Sequence, residues 1–478
     1  MTERRSVADS TALALGLIAL FGLAYALLAR LALDAFPFSG DEYSLALQGE
    51  LFAKGLLKVA APPHAEWLRV DHVVIDAFVR SKYPPGAPAL LALGARCGCA
   101  WLVTPLEGTA VLALVWHSVR RVLGARPALV ALVALGAAPL FMIDAASFYA
   151  HAPTLLFLAI AFAAITAWVL GARTGWLVLA GAAIGAAFLV RPVDALLFGV
   201  AMLTFRSRRA VIVPALAALP FVAASFWYQD AVFGSPLTDG YHAYEPTFTA
   251  LYGASTAANP VSWHHLASAT QWWNHVDIFG QMCLQWTIPG TVVVALFGAM
   301  AVERTDAAAR LQTFSVVLIA VFAVALLPMI SDPDDGPHSR YLSVTLIPLA
   351  LLAGAGYEPL CDAIRAALGR GVQRAIVLLA VLFGLAQLGS YLQDRIPKQW
   401  KREGLYRAVD REYLPPGAVV IVRAQYPSRY ARNGPFFDGV LYLSAPAATG
   451  AAEIAAAYPG REIYEAREGT PWTLERVK

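Results

Sequence analysis

The sequence predicts an all-α polytopic membrane protein with about eleven transmembrane helices (11–13), juxtamembrane helices in a long first outer loop, and a small C-terminal α/β domain. The first observation is the scarcity of charge: 14% of the 478 residues are Asp, Glu, Lys or Arg, against about 25% in soluble domains. The second is the apolar content, with 58% hydrophobic residues and a mean hydropathy of +0.58. The third is arrangement, because the apolar residues form runs of about 20, the length that crosses about 30 Å of hydrocarbon.

The same composition excludes several other classes of protein. A soluble enzyme of this length needs more polar cover for its surface, and a disordered chain needs more charge. Four Cys in 478 residues do not make a disulfide scaffold. A formal net charge of +3 without a basic tract attracts phosphate backbones weakly, so we expect no nucleic-acid partner.

The first apolar run covers residues 10–33. It is too long for a signal-peptide core and lacks a small-residue cleavage site before Asp34, so we predict an uncleaved anchor. Arg4 and Arg5 place its start in the cytoplasm. Ten further runs follow at about residues 105–122, 127–145, 152–171, 175–191, 193–205, 210–228, 286–302, 311–330, 341–358 and 375–391.

Residues 87–103 are also apolar and long enough to span, but they contain Arg96. If they spanned, Arg120, Arg121 and the later basic turns would face outward, against the positive-inside rule. We therefore predict that they form a juxtamembrane helix within a first outer loop over residues 34–104. The other outer segments are then residues 229–285, 331–340 and 393–478.

This topology divides the chain into a transmembrane domain, residues 1–392, and a small outer α/β domain, residues 393–478. The second part is richer in charge. Its sequence alternates between apolar and polar residues with the period of β-strands. The predicted strands cover residues 418–423, 439–444 and 462–466, around a helix at residues 450–458.

Apart from the basic residues of the cytoplasmic turns, the charged residues of the membrane part crowd the outer ends of the predicted helices, and none is predicted near the bilayer midplane. A secondary transporter would place its binding groups near the midplane. The distribution therefore favours a reaction at the outer leaflet. The outer charged residues are Asp41, Glu42, Lys82, Arg96, Glu107, Asp144, His151, Arg191, Asp194, Asp332, Asp334, Asp335, His338 and Arg340.

An acidic pair, Asp41 and Glu42, follows the first predicted span within the motif GDEY of residues 40–43. One interpretation is structural, because acids at a membrane exit are often interface residues and Asp41 suits the N-cap of the amphipathic stretch at residues 43–57. The other is catalytic. A carboxylate near an apolar boundary has its charged form disfavoured, which makes Asp41 a stronger base for an attacking hydroxyl. Glu42 would then orient that base or bind the acceptor.

Lys82 and Tyr83 stand before two prolines in the motif SKYPPG of residues 81–86. The prolines keep the chain extended and Gly86 permits a turn, so the lysine is held in place at the predicted water interface. It is either a functional cation or a snorkelling lysine that faces lipid headgroups.

Arg191 and Asp194 belong to the motif RPVD at a tight outer turn between two predicted spans. An arginine on the outer side is contrary to the positive-inside rule, so an anion should pair with it. Asp194 is the structural candidate for that anion. A phosphate is the functional candidate, since arginine suits bidentate phosphate binding.

The loop at residues 331–341 concentrates ionisable groups between two predicted spans. Asp332 and Asp334 could hold a hard cation, although acids in a loop are commonly solvated. We therefore predict no cofactor, with a divalent metal at these two acids as the alternative. Arg340 and Tyr341, at the mouth of the following helix, are better candidates for substrate contact.

His151 and an aromatic segment at residues 263–275 complete the outer candidates. A lone histidine is more often a structural hydrogen-bonding residue than a functional one, and both interpretations of His151 stay open. The aromatic segment is an interfacial belt by default and a sugar-stacking platform as the alternative. The sequence has no phosphate loop or dinucleotide fingerprint, which argues against a soluble nucleotide donor.

In their order along the chain, these motifs resemble those of the GT-C glycosyltransferases. The most similar groups are the dolichyl-phosphate-mannose protein mannosyltransferases and the bacterial lipid A aminoarabinose transferases, of the glycosyltransferase family 39 and 83 type. The resemblance covers about residues 10–392. It rests on GDEY after the first span, KYPPG before a juxtamembrane helix, Arg191 and Pro192 at an outer turn, and Arg340 and Tyr341 with Pro348 in a late helix.

The resemblance implies a GT-C fold and a multi-pass protein of the bacterial inner membrane, with a cytoplasmic N-terminus and a periplasmic active site. It implies transfer of a sugar, with inversion, from a polyprenyl-phosphate donor to an acceptor hydroxyl. Asp41 would be the general base, assisted by Glu42. The implied donor contacts are Lys82 and Tyr83, Arg191, Arg340 and Tyr341, and His151.

The implied partners are the lipid-linked sugar donor, a lipid, glycan or protein acceptor, and membrane lipids. Two alternatives stay open. The first is a flippase or binding protein for a lipid-linked sugar, without catalysis. The second is an oligosaccharyltransferase, which would depend on a metal through Asp332 and Asp334.

Overall fold

The computed structural model describes residues 2–252, 269–301, 305–326, 338–446 and 448–477. Over these residues the chain is predominantly helical. The longest helix is interrupted at Gly369, whose φ of +84° is not helical. Glycine adopts this left-handed region without the strain that a side chain would cause. The helices are α1 (Thr2–Leu27), α2 (Gly40–Ala53), α3 (Gly86–Ala95), α4 (Val103–Leu123), α5 (Ala125–Gly136), α6 (Pro139–Asp144), α7 (His151–Val169), α8 (Gly175–Phe188), α9 (Pro192–Ala201), α10 (Arg208–Phe233), α11 (Gly240–Tyr252), α12 (Ala269–Gln281), α13 (Thr291–Met300), α14 (Asp306–Leu326), α15 (Leu346–Arg411) and α16 (Ala451–Ala457).

Within the described ranges, six helices are long and apolar enough to cross a membrane, or seven if the bent pair Val276–Trp286 and Thr291–Met300 is one span. Shorter apolar helices accompany them: Gly86–Ala95, Ala125–Gly136, Gly175–Phe188 and Pro192–Phe205. The chain is thus built as a multi-pass membrane protein. Each predicted apolar run overlaps a helix, the last two both falling on α15, but the count of eleven spans stays a prediction.

Helix α3 occupies the segment whose role in the bilayer was ambiguous from sequence. It has ten residues, so it is about 15 Å long, half of what a span requires. Gly49 of α2 lies against it, where an added Cβ would stand 3.0 Å from the Leu91 Cβ. The close packing of α2 on α3 therefore depends on a small residue at this crossing.

Two small sheets accompany the helices. The first joins β1 (Val59–Ala60), β2 (Val73–Ile75) and β3 (Phe78–Ser81) in the order β1-β3-β2, with all pairs antiparallel. The second has the order β5-β4-β6-β7. Its central strand β4 is parallel to β5 and β6, and β7 is antiparallel to β6. Its strands are β4 (Val419–Arg423), β5 (Leu441–Leu443), β6 (Ile463–Arg467) and β7 (Thr473–Arg476).

The chain forms two compact units, each assembled from separate segments. The first unit comprises Met1–Leu31, Leu102–Ala224 and Asn259–Tyr391, and the second comprises Ala32–Trp101, Ser225–Ala258 and Leu392–Lys478. The predicted division between residues 392 and 393 lies next to the start of the last segment. The structure, however, groups the first outer loop with that C-terminal segment, whereas the sequence-based division assigned the loop to the transmembrane domain.

The grouping has a physical basis in the core of the second unit. Trp67 and Leu68, from the first outer loop, pack with Val419 and Ile421 of β4 and Leu441 of β5. The backbone N–H of Ser444 also donates to the Trp67 carbonyl, at 2.7 Å. The C-terminal sheet therefore buries one of its faces partly against residues up to 377 positions earlier in the chain.

Candidate functional site

Helix α2 begins with a capping box that fixes the first turn. The Ser39 Oγ accepts from the backbone N–H of Glu42 at 3.1 Å, and the Glu42 Oε2 accepts from the backbone N–H of Ser39 at 2.9 Å. Two backbone donors that a helix start leaves unsatisfied are thereby paired. Asp41, one of the two residues between Ser39 and Glu42, is consequently held in a defined first turn.

Glu42 is fully buried and its carboxylate also faces the guanidinium of Arg395, which is 2% exposed. The Arg395 Nη2 lies 3.4 Å from both Glu42 oxygens, and the Arg395 Cζ lies 4.8 Å from the centre of the Phe38 ring. The predicted role of Glu42 was to orient the base or bind the acceptor. Its oxygens are engaged in the helix cap and in this ion pair, and both roles stay predictions.

Asp41 lies beside His72 and Tyr83. The Tyr83 hydroxyl donates to Asp41 Oδ1, and the His72 Nε2 lies 3.4 Å from the same oxygen. Gly40 makes this approach possible, because a Cβ there would stand 2.6 Å from the His72 Cδ2. The positive end of α2 and the tyrosine hydroxyl both favour a negative charge at Asp41, which is the opposite of the disfavoured charge expected from its place at an apolar boundary. The side chain is 19% exposed and so remains reachable from outside.

A hydrogen-bond network fixes the position of strand β3 relative to α2. The Ser44 Oγ lies 2.7 Å from the Ser81 Oγ, and the Gln48 Oε1 accepts from the Ser81 backbone N–H at 2.9 Å. The Ser81 Oγ in turn accepts from the backbone N–H of Tyr83 at 3.0 Å. These groups lie on the same face of α2 as Asp41, so the motif after β3 is held in register with the carboxylate.

Lys82 lies among three tyrosine rings. Its Nζ is 5.2 Å from the ring centre of Tyr83, 4.8 Å from that of Tyr241 and 4.9 Å from that of Tyr244. Gly240 allows the start of α11 to reach it, since a Cβ at that position would stand 2.0 Å from the Lys82 carbonyl oxygen. Ring faces attract an ammonium ion, so the cage fixes the lysine through cation–π contacts.

The first unit contains a second buried polar group. Asp144, at the end of α6, accepts a 2.6 Å hydrogen bond from the Ser343 hydroxyl, and the His151 Nδ1 lies 3.5 Å from its Oδ1. All three residues are less than 5% exposed. His151, for which sequence left two interpretations open, is therefore part of a buried acid and hydroxyl network.

Two arginines of the first unit lie near aromatic rings. Arg191 precedes α9, its Nε is 2.5 Å from the Asp194 Oδ2, and its Cζ is 5.8 Å from the Tyr341 ring centre. The Arg340 Cζ lies 5.2 Å from the Tyr149 ring centre and 5.4 Å from that of Tyr341. The predicted pairing of Arg191 with Asp194 is thus present. A phosphate ligand for Arg191 stays a prediction.

The candidate residues therefore fall into two groups, one in each unit. Sequence reasoning did not assign roles to His72, Tyr241, Tyr244, Arg395 or Ser343, and it recognised Asp144 only as an outer charge. The sequence signal for these residues was the charged and aromatic content of the segments that contain them. Their partners are up to 353 positions away, and no local pattern encodes such a pairing. The group in the second unit is Asp41, Glu42, Lys82 and Tyr83, and that in the first is His151, Arg191, Arg340 and Tyr341.

A divalent metal at Asp332 and Asp334 stays a prediction. Among the residues whose placement is described, no three His, Cys, Asp or Glu side chains cluster to hold a metal ion. Asp332 and Asp334 lie outside the described residues, as do residues 263–268 of the aromatic segment.

Comparison with known proteins gives a sequence family and several structures. The family described as dolichyl-phosphate-mannose-protein mannosyltransferase matches residues 83–227. A comparison with curated proteins finds no match. The crystal structure of ArnT from Cupriavidus metallidurans in the apo state has a TM-score of 0.59 at 16% identity. That of ArnT bound to undecaprenyl phosphate has a TM-score of 0.57 at 15% identity. Each alignment covers 95% of this chain and 93% of that chain.

Proposed function

Because this chain has the GT-C fold, we propose that it is a membrane glycosyltransferase. It takes a sugar from a polyprenyl-phosphate donor and transfers it, with inversion, to an acceptor hydroxyl. We place the reaction on the periplasmic side of a bacterial inner membrane, with the N-terminus in the cytoplasm. The observation that carries the proposal is the Asp41 carboxylate, held at the start of α2 by the Tyr83 hydroxyl and next in sequence to the capping residue Glu42.

In this reaction Asp41 is the general base. The acceptor oxygen attacks the anomeric carbon while its proton passes to the Asp41 carboxylate. The bond between the anomeric carbon and the phosphate oxygen breaks, and its electron pair leaves with polyprenyl phosphate. Tyr83 and His72 contact the same carboxylate oxygen and keep it oriented for proton transfer.

Lys82 supplies positive charge for the leaving phosphate. The Tyr83 ring contacts the ammonium group, and the Tyr83 hydroxyl contacts the base. One side chain therefore ties the cation to the carboxylate. Charge that develops on the phosphate oxygens during bond breaking would be stabilised by a cation fixed in advance.

Arg191 and Arg340 are our further candidates for contact with the donor phosphate or sugar. Arginine binds phosphate through two parallel N–H groups, and the Tyr341 ring lies near both guanidinium groups. His151 and Asp144 would help to hold these two arginines in position, since both side chains are buried. We propose no cofactor for the reaction.

The test uses the purified full-length chain in lipid nanodiscs with undecaprenyl-phosphate-linked mannose and aminoarabinose as donor probes. Release of undecaprenyl phosphate is measured after an envelope glycolipid extract is added as acceptor. Asp41→Asn should lower the rate by about 10²- to 10⁴-fold, the usual contribution of a general base. Asp394→Asn, at an exposed residue of the same unit, serves as the matched control.

Near-normal turnover by Asp41→Asn would contradict the role of this carboxylate as base. A wild-type protein that moves the lipid across the membrane without releasing undecaprenyl phosphate would instead support the flippase alternative. Loss of turnover on adding a chelator would support the metal-dependent oligosaccharyltransferase.

A further inference from the structure

His72 carries the imidazole that faces the proposed base, and its backbone has an unusual conformation. The residue lies in the left-handed region, with a φ of +64°, which residues with a side chain seldom adopt. Two hydrogen bonds fix its carbonyl oxygen, one from the Ser44 Oγ at 2.6 Å and one from the Lys82 backbone N–H at 3.3 Å. A strained residue persists only where its surroundings hold it, and such residues cluster at functional sites.

The surroundings of the His72 ring direct it toward one carboxylate oxygen. The ring centre lies 6.0 Å from that of Tyr83 and 5.8 Å from that of Tyr244. Gly40 of α2 leaves the space that the ring occupies, because a Cβ there would stand 2.6 Å from the His72 Cδ2. The His72 Nε2 is thereby placed 3.4 Å from the Asp41 Oδ1.

This distance places the ring nitrogen within reach of a proton on the carboxylate. A charge-assisted N–H···O bond is about 2.7–2.9 Å long. Hydrogen bonds between catalytic groups are often longer when no substrate is bound, and they shorten in the complex. A small movement of the ring would therefore bring Nε2 to hydrogen-bond distance from Oδ1.

Asp41 by itself is a weak proton acceptor, because the positive end of α2 and the Tyr83 hydroxyl stabilise its charged form. A general base is most effective when its pKa lies near the working pH. In water an aspartic acid has a pKa of about 3.9 and an imidazole a pKa of about 6.5, so a proton prefers the imidazole by about 400-fold. An imidazole that shares the proton with Asp41 would make the pair a stronger base than the carboxylate alone.

We propose that His72 is a second base, which takes from Asp41 the proton that Asp41 receives from the acceptor hydroxyl. This inference rests on the proposed function and deepens it. The acceptor O–H bond breaks as the acceptor oxygen bonds to the anomeric carbon, and the proton forms an O–H bond at the Asp41 Oδ1. That O–H bond then breaks and an N–H bond forms at the His72 Nε2. The His72 side chain is 31% exposed, against 19% for Asp41, so the imidazolium can release a proton to water.

Several charged and titratable groups surround the ring and set the pH at which it titrates. Nearby carboxylates favour the imidazolium and a nearby ammonium group opposes it. A substitution at position 72 leaves all of these groups in place, so a change in the pH dependence can be attributed to the imidazole. The groups are Asp41 of α2, the adjacent Asp71, Lys82 and Tyr83 after β3, and Tyr244 of α11.

The test measures release of undecaprenyl phosphate by the full-length chain in nanodiscs between about pH 5 and 8, the range in which imidazoles titrate. The donor probe that the chain uses is kept at a saturating concentration. The wild-type rate should fall toward pH 5, because an imidazolium cannot accept a second proton. His72→Asn tolerates the left-handed backbone but removes the proton acceptor. It should be about tenfold slower or more near pH 7.5 and should lose the fall within this range.

The chain offers a matched control in His64→Asn. His64 has a φ of +59° in the same outer loop, and its ring stacks on Trp67 with 4.8 Å between ring centres. This variant should keep the wild-type pH profile. His72→Gly also suits the left-handed backbone and leaves space where the ring stood. Added imidazole should raise its rate about tenfold or more, and it should not raise the rate of Asp41→Asn, which lacks the first acceptor.

A His72→Asn profile with the same fall as the wild type would overturn the proposal and show that His72 only orients Asp41. If His72→Asn does not fold, His72→Gly decides, and absence of rescue by imidazole counts against the proposal. A wild type that transfers sugar at a rate independent of pH in this range would refute the role of His72 alone. A wild type that transfers no sugar would refute the proposed function and this role with it.

Discussion

The ion pair between Glu42 and Arg395 gives the sharpest test of how the candidate site is held together. Both side chains are buried, at 0% and 2% exposure, and they come from segments 353 residues apart. Arg395→Met removes the positive charge and keeps most of the aliphatic volume. Glu42→Gln removes the negative charge, while its amide oxygen can still accept from the Ser39 N–H.

The expected cost follows from the geometry. Two unit charges 3.4 Å apart attract with about 5 kcal/mol at an effective dielectric constant of 20. Removing one partner leaves the other charged and buried, which typically costs about 3–5 kcal/mol. Each single variant should therefore lose about 3–5 kcal/mol of unfolding free energy. The double variant should lose no more than about 2 kcal/mol, because no buried charge is then left uncompensated.

Equilibrium unfolding by dodecyl sulfate in mixed micelles, followed by circular dichroism, measures all four proteins. The exposed pair Lys398 and Asp394 provides a matched cycle, in which a coupling energy below about 1 kcal/mol is expected. If the single variants at Glu42 and Arg395 cost less than about 1 kcal/mol each, or if their costs add in the double variant, the two charges are not coupled and our account of the start of α2 is wrong.

Three further predictions concern charged groups of both units. Lys82→Ala should raise the donor concentration for half-maximal rate by about tenfold or more, with partial recovery in Lys82→Arg; an unchanged donor dependence would argue against a phosphate contact. Arg191→Lys should raise it too, whereas Asp194→Asn, which keeps the cation, should not; equal effects in both variants would indicate a purely structural pair. The bidentate hydrogen bonds from Arg80 lower the pKa of Asp76. A lowered pKa stabilises the fold above the unfolded value of about 3.9, and that effect is lost as the pH falls through the folded value. Asp76→Asn should therefore cost about 1 kcal/mol at pH 7 and progressively less as the pH falls below about 3.9, by thermal unfolding. A difference that persists at low pH would exclude this ionisation as the cause.

The helical membrane architecture could be predicted from the sequence because hydropathy and the length of an apolar run are local properties of the chain. Apolar runs became helices, and the alternating runs at residues 418–423 and 462–466 became β4 and β6. The basic turns also indicated that residues 87–103 do not span, and α3 is too short to do so. These features depend on composition within a window of about 20 residues.

The candidate site was predictable only in part, for a different physical reason. Asp41 and Lys82 could be singled out as charges at a predicted membrane boundary. Their surroundings could not, since the tyrosine cage requires Gly240 to pack against the Lys82 backbone, and the buried partner of Glu42 lies in α15. Contacts of this kind depend on tertiary packing, and a single sequence carries no record of which distant segments meet.

The assembly of the second unit from three separate segments has a consequence for biosynthesis. Glu42 leaves the ribosome 353 residues before Arg395, and at about 5–20 residues per second this interval lasts roughly 18–70 s. During that time the first outer loop has neither its ion-pair partner nor the sheet strands that cover Trp67. The emerging loop is therefore expected to need a chaperone outside the membrane, and premature termination before β4 should yield a product that is degraded.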